Sequence, residues 1–223
     1  SRGLGDVYKR QGWSQFADVH GFIVAYPDAT FPDEPGLPYL DGGAWDPYTN
    51  ASTDISFLRQ VVHDISSAYC VDPARVYVDG WSNGAVMSQR AACDLPDLFA
   101  AADSYAGGDP TVWDQSGASA GQYSGDPCQP SRPISVALIV GQEDFTYGGL
   151  SQNTSLWQQI DGCTSAPVAE TDSYGSSQTY ACSQGTQLLT RVASNTSHNW
   201  PSGPQGEDQR ERIWEFFTAH PLP

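Results

Sequence analysis

Apolar and polar positions along the chain change period several times, and each change marks an element. Trp13–His20 has the spacing of a helix end. Gly21–Tyr26, GFIVAY, is a continuous apolar run of strand length, the pattern of a parallel strand buried on both faces. Pro27–Asn50 is rich in Pro, Asp and Gly and is predicted as a surface loop. Leu58, Val61, Val62, Ile65 and Tyr69 then recur at helical spacing, giving one apolar face. Thr53 or Asp54 caps that helix, and Cys70-Val71-Asp72-Pro73 ends it. Arg75–Val78 is a short strand, followed by a glycine-flanked turn and a helix starting near Asn83. Phe99–Tyr105 and Ile134–Val140 are further strands. Between them Gly107–Pro133 has the length of a lid, a binding loop or a disordered segment. Ser151–Ile160 is predicted helical, Gln178–Cys182 an edge strand and Gln187–Ala193 a buried one. A last helix, about Glu207–Ala219, buries Ile213, Trp214, Phe216 or Phe217. Strands alternating with helices predict an α/β fold with a mostly parallel sheet flanked by helices.

Composition narrows the class. At 223 residues the chain has the length of one domain with a sizeable core. A formal net charge of −16 disfavours nucleic acid and anionic membrane surfaces as partners. No apolar run approaches the length of a membrane span. A soluble, exported and monomeric protein is expected. The cysteines Cys70, Cys93, Cys128, Cys163 and Cys182 form no C-x-x-C pair, which argues against a zinc or redox motif. Two disulfides, Cys163–Cys182 and Cys93–Cys128, are expected in preference to reduced core thiols, leaving Cys70 over. Bridges imply an oxidising compartment. Ser1–Gln11, SRGLGDVYKRQ, resembles the translation of a transposase-type sequencing adapter, and it holds the chain's one lysine, Lys9. It is set aside as a non-native tail, with residues 12–223 as a single catalytic domain cut short at its N-terminus.

The candidate chemistry centres on Arg75–Arg90, RVYVDGWSNGAVMSQR. Gly80-Trp81-Ser82-Asn83-Gly84 is a G-x-S-x-G pattern between a strand and a helix, the context of a nucleophile elbow. The pattern alone is common in a chain this rich in Gly and Ser; the flanking strand and helix give it weight. Sites in open α/β sheets gather beyond the carboxyl ends of strands. Ser82 follows one such end, Asp144 follows the next clear strand, and His198 follows the last. A serine hydroxyl needs a base, histidine can take and return its proton, and a buried carboxylate fixes the imidazole tautomer. The order Ser…Asp…His is that of α/β-hydrolases. His198 is chosen over His20, His63 and His220 by elimination, and Glu143 stands as a rival to Asp144. The backbone N–H of Asn83 is the expected oxyanion donor. Trp81, Trp45 and Trp200 are candidates for lining a substrate pocket; for Trp45, simple packing of its loop is an equal alternative. No metal and no cofactor are called for.

Several segments together resemble the secreted esterases grouped as polyhydroxybutyrate depolymerases and feruloyl or acetylxylan esterases (carbohydrate esterase family one). They are GFIVAYPD, ISFLRQVVHDISSAYCVDPARVYVDGWSNGAVM, CDLPDLFAA followed by YAG, CQPSRPISVALIVGQED, the Cys163–Cys182 segment and HNWP. The resemblance implies an α/β-hydrolase fold with Ser82 as nucleophile, Asp144 as triad acid and His198 as triad base. Two departures bear on the substrate pocket. Val140-Gly141-Gln142-Glu143-Asp144 stands where the family has His-Gly-Thr-x-Asp, and Asn195, Thr196 and Ser197 stand where it has glycines. The resemblance further implies that the first strands, and the segment supplying the second oxyanion donor, lie upstream of the cut. A gap or a slipped register is then expected between Gly21–Tyr26 and Arg75–Val78. The expected activity is that of a serine carboxylic-ester hydrolase acting on feruloyl, acetyl-xylan or polyhydroxyalkanoate esters. The alternatives are a serine peptidase of the same fold and an inactive module that grips plant polysaccharide.

Overall fold

The computed structural model describes residues 11–29, 44–114 and 122–223. Ser1–Arg10 of the expected tail, and most of the loop after Pro27, lie outside them. The described elements are α1 (Trp13–His20), α2 (Thr53–Ala68), β1 (Tyr77–Trp81), α3 (Asn83–Asp94), β2 (Ala101–Tyr105), β3 (Val112–Asp114), β4 (Gln122–Ser124), β5 (Ser135–Gly141), α4 (Leu150–Asp161), β6 (Val168–Asp172), β7 (Gly175–Ala181), β8 (Gln187–Ala193) and α5 (Gly203–Ala219).

The apolar run at β5 explains the architecture. All seven of its residues are buried, so it needs strands on both edges and helices on both faces. It pairs in parallel with β2 on one side and β8 on the other. The sheet order is β1-β2-β5-β8-β7-β6, with β1, β2, β5 and β8 parallel and β7 and β6 added antiparallel. Alternate side chains of each strand go to opposite faces. Ala102, Val136, Leu138 and Leu188 join Ile55, Leu58, Met87, Ala91 and Trp157 from α2, α3 and α4. Ala101, Tyr105, Ala137 and Ile139 join Trp13, Ile213, Phe216 and Phe217 from α1 and α5. The result is a sheet between two helical layers. Each fully buried Leu, Ile or Phe contributes roughly 1.5–3 kcal/mol of transfer free energy to it.

Several expectations need correction. Ser52, not Thr53 or Asp54, caps α2: its hydroxyl accepts from the Ile55 amide at 3.4 Å. Gln178–Ala181 belongs to β7, which is interior, and Cys182 lies just past its end; the edge is β6, whose residues Val168–Thr171 are exposed on both faces. Gly107–Pro133 contains the paired strands β3 and β4. Gly21–Tyr26 joins no strand ladder. Phe22, Val24 and Tyr26 pack against the α1/α5 core, while Ile23 is 51% exposed. A cleft of about 570 Å³ separates this segment from β1, and Val61, Val62 and Ile65 of α2 line it. The C-terminal half of the apolar face of α2 therefore borders a cleft instead of a packed layer, and Tyr69 is exposed.

Cys93–Cys128 ties the end of α3 to the segment before β5, and Cys163–Cys182 ties the turn after α4 to the end of β7. In the loop-entropy account each bridge contributes roughly 3 kcal/mol or more, less any strain. Cys70 is exposed and unbridged. No described helix is long and apolar enough to cross a membrane.

Candidate active site

Because β1, β5 and β8 run parallel, their carboxyl ends share one rim, and the residues just past them meet there. Ser82 follows β1 directly. Its backbone sits at φ 58°, ψ −121°, a region that costs a side-chain-bearing residue on the order of 1–3 kcal/mol. Tertiary contacts hold it there: the Ser82 amide donates to the Tyr105 carbonyl at 2.9 Å, and α3 starts at the next residue. Strand and helix come so close that a Cβ on Gly80 would lie 2.0 Å from the Gly84 carbonyl oxygen. Glycine at position 80 is thus a steric requirement of the turn.

Asp144 and His198 are brought together by an equally close approach. A Cβ on Gly141 would lie 2.2 Å from the Thr196 carbonyl oxygen. The Gln142 amide donates to Ala193 and the Glu143 amide to Thr196, at 2.8 and 2.9 Å. The loop after β5 and the loop after β8 are therefore laced to one another. Tyr105 adds a third tie, its hydroxyl donating to the Asn199 carbonyl at 3.1 Å. Burial raises the Tyr105 phenol well above its ordinary value, and nearby Asp144 and Asp103 raise it further, so it stays a donor.

The resulting geometry is a continuous relay. His198 Nε2 lies 2.8 Å from the Ser82 hydroxyl. His198 Nδ1 lies 2.9 and 3.1 Å from the two oxygens of Asp144. The Asp144 side chain is fully buried and the imidazole is 23% exposed. With its carboxylate on Nδ1, the histidine carries its proton there and leaves Nε2 free to accept from serine. Glu143, the rival acid, is solvent-exposed. The other histidines lie elsewhere: His20 stacks on Phe16, His63 is exposed on α2, and His220 Nδ1 donates to the Phe216 carbonyl.

The tryptophans separate into three settings. Trp81 lies 5.1 Å from the His198 ring. Trp45 stacks on Phe57, and its backbone amide and carbonyl are both held by the Asn83 side chain, at 2.8 and 3.2 Å. Trp200 packs at 5.1 Å on Tyr105, partly buried against the core. The Asn83 N–H belongs to the first turn of α3, where amides lack intrahelical acceptors.

Two contributors escaped the sequence reading. Thr146 donates to Asp144 Oδ1 from both its amide and its hydroxyl, at 2.8 Å each. The D-x-T spacing was the available signal. Phe145 places its ring 4.4 Å from the imidazole while remaining 77% exposed. The 570 Å³ cleft beside β1 is not lined by Ser82, Asp144 or His198, so it is separate from this chemistry. Among the described residues, no cluster of three or more His, Cys, Asp or Glu is arranged to hold a metal.

Comparison with known proteins places the chain in a family. The profile of the prolyl oligopeptidase family matches residues 12–128, more than half of the chain. The chain belongs to that family. It is also 28% identical to feruloyl esterase B of Piromyces equi over 99% of its length, and 26% identical to poly(3-hydroxyalkanoate) depolymerase C of Paucimonas lemoignei over 89%. The chain spans 41% and 52% of the lengths of those two relatives. The solved acetyl xylan esterase from Aspergillus awamori superposes with a TM-score of 0.68 at 18% identity, covering 95% of this chain and 82% of that one. At that identity the likeness speaks for fold, and the fold is that of an α/β-hydrolase.

Proposed function

We propose that this member of the prolyl oligopeptidase family is an exported serine carboxylic-ester hydrolase. The observation that carries the proposal is the 2.8 Å contact between the Ser82 hydroxyl and His198 Nε2, with Asp144 on the opposite nitrogen. In this reading Ser82 attacks the ester carbonyl as His198 takes its proton. The tetrahedral oxyanion is met by the Asn83 N–H at the start of α3. The carbon–oxygen bond to the alcohol then breaks, and His198 protonates the departing alkoxide, leaving an acyl-enzyme on Ser82. Water enters, gives its proton to His198 and attacks the acyl carbon, and the acid is released as Ser82 is reprotonated. The ester assignment draws on relatives named feruloyl esterase and polyhydroxyalkanoate depolymerase, similar over most of this chain. Feruloyl, acetyl-xylan and polyhydroxyalkanoate esters are the substrate classes to test. Export draws on the two disulfides.

A second reading, cleavage of peptide bonds, has one observation in its favour: the matched family is described as prolyl oligopeptidase. One experiment separates the two. A fluorophosphonate probe is expected to label wild type and not Ser82→Ala. Wild type is expected to hydrolyse methyl ferulate, acetylated xylan or poly(3-hydroxybutyrate) while leaving prolyl peptides intact. Ser82→Ala is expected to lose at least about 10⁴-fold in turnover. Peptide cleavage without ester cleavage, or labelling that survives in Ser82→Ala, overturns the proposal.

A further inference from the structure

Phe145 combines two properties that packing alone does not require together. Its ring lies 4.4 Å from the His198 imidazole, inclined at 39°, so one side of it meets the catalytic base. Yet 77% of the residue is open to solvent, an unfavourable state for a large apolar side chain in a free enzyme. Two residues on, in the same turn, Tyr147 is 46% exposed. Among the described residues, the other exposed large apolar ones, Val19, Ile23, Phe57, Tyr69 and Val168, belong to different elements. The exposed aromatics beside the triad are therefore a small local feature.

The chemistry assigns that feature to one half of the substrate. His198 must hand its proton to the departing alcohol, so the alcohol oxygen passes along the imidazole. Whatever that oxygen is attached to lies beside the ring that packs against the imidazole. We infer that Phe145 is a specificity-determining residue that stacks on a sugar ring forming the alcohol half of the ester; this rests on the ester-hydrolase reading above.

Three observations favour a sugar over other alcohols. A pyranose or furanose presents C–H bonds from its face and hydroxyls from its edge, which suits an aromatic face with polar surroundings. The neighbours of Phe145 along the two loops are such: Gln142, Glu143, Ser197 and Asn199 are all exposed. An aliphatic polyester calls instead for a continuous apolar patch, and two aromatics do not make one. The net charge of −16 works against polyanionic chains and leaves neutral polysaccharide.

The test compares two esters of one acid, acetate or ferulate, whichever wild type turns over faster as its methyl ester. One ester is to methanol and the other to xylotriose. The readout is the ratio of kcat/KM for the sugar ester to that for the methyl ester. In Phe145→Ala this ratio is expected to fall about tenfold, through KM of the sugar ester. Phe145→Trp is expected to keep it, and Phe145→Leu, apolar without a flat face, to lose it. An unmoved ratio in Phe145→Ala, or a ratio preserved by Phe145→Leu, overturns the inference while leaving the ester reading in place. Selective loss of poly(3-hydroxybutyrate) clearing in Phe145→Ala, with the ratio unmoved, overturns it in favour of a polyester. Absence of turnover of either methyl ester by wild type overturns the underlying reading along with it.

Discussion

The Asp144 carboxylate accepts from the Thr146 amide and hydroxyl at 2.8 Å each, so its orientation toward His198 is set before substrate arrives. A hydrogen bond to a charged group is worth roughly 1.5–3 kcal/mol, and if that is felt at the transition state it is a ten- to hundredfold effect on rate. Thr146→Val keeps the shape and the amide but deletes the hydroxyl. Its kcat on a soluble ester is expected to fall about tenfold or more, with Thr146→Ser close to wild type. Equal rates in all three proteins would mean that the hydroxyl does not orient the acid. The sequence made Ser82 legible because Gly80 and Gly84 flank it in a G-x-S-x-G pattern, and at position 80 the turn leaves no room for a Cβ. Thr146 was not legible in the same way, since Asp-x-Thr is also an ordinary turn. Gly141 was equally hidden: the carbonyl that excludes a Cβ there belongs to Thr196, on another loop.

Among elements, α3 carries more than the turn at its start. Arg90 is completely buried on it, three residues before Cys93. Its guanidinium donates to the carbonyls of Pro47, Pro110, Asp126 and Pro127 and to the Asn50 side chain. One side chain thus pins the 44–50 loop and both ends of the stretch around β3 and β4 to the helix behind Ser82. The Arg90→Met variant leaves several buried carbonyls without donors and is expected to lose about 3–5 kcal/mol of unfolding free energy. Arg90→Lys should recover little of it, because an ammonium cannot reproduce the planar fork. Urea unfolding followed by tryptophan fluorescence measures both; a wild-type midpoint in either variant contradicts the clamp. The sequence pattern does not show this role, since the partners lie 20 to 43 residues away along the chain. Strand β6 escaped for the opposite reason: Val168-Ala169-Glu170-Thr171 is exposed on both faces, and the strand shows no apolar alternation. GFIVAY had the apolar content of a buried strand, but content does not supply a hydrogen-bonding neighbour, and its partner side opens on the cleft.

For the whole molecule, the net charge was readable from composition, but which carboxyl groups fold inward was not. Asp161 is fully buried at the end of α4, one oxygen accepting from the Ile134 amide, and burial pushes it up to about 7. Asp79 and Asp103 face each other in register on β1 and β2, and burial raises both, Asp103 further because of its neighbour. Asp172 is shifted the other way, held down at about 2 chiefly by hydrogen bonds from Arg191. Each shift fixes the sign of a pH dependence. Between an unfolded carboxyl value of about 4 and the folded value of about 7, the native chain keeps a proton on Asp161 that the unfolded chain has released. Stability from this group therefore falls as pH rises through that window, by at most about 1.4 kcal/mol per unit. The contribution of Asp172 is intact above about 4 and is lost as pH drops toward 2. Stabilisation by lowering the pH from 8 toward 4, with collapse below it, is the expected profile, and relief of self-repulsion near the pI of about 4.2 acts in the same direction. His220, lowered by burial, opposes the trend below its ordinary value, so the decisive measurement is a difference. Asp161→Asn keeps an acceptor for the Ile134 amide and removes the titration. Wild type should gain on this variant by a few kcal/mol between pH 8 and pH 4, with the change confined to roughly pH 4–7. A difference that stays flat across that range would show that Asp161 ionises in the folded protein as easily as in water, and that its burial does not hold it protonated.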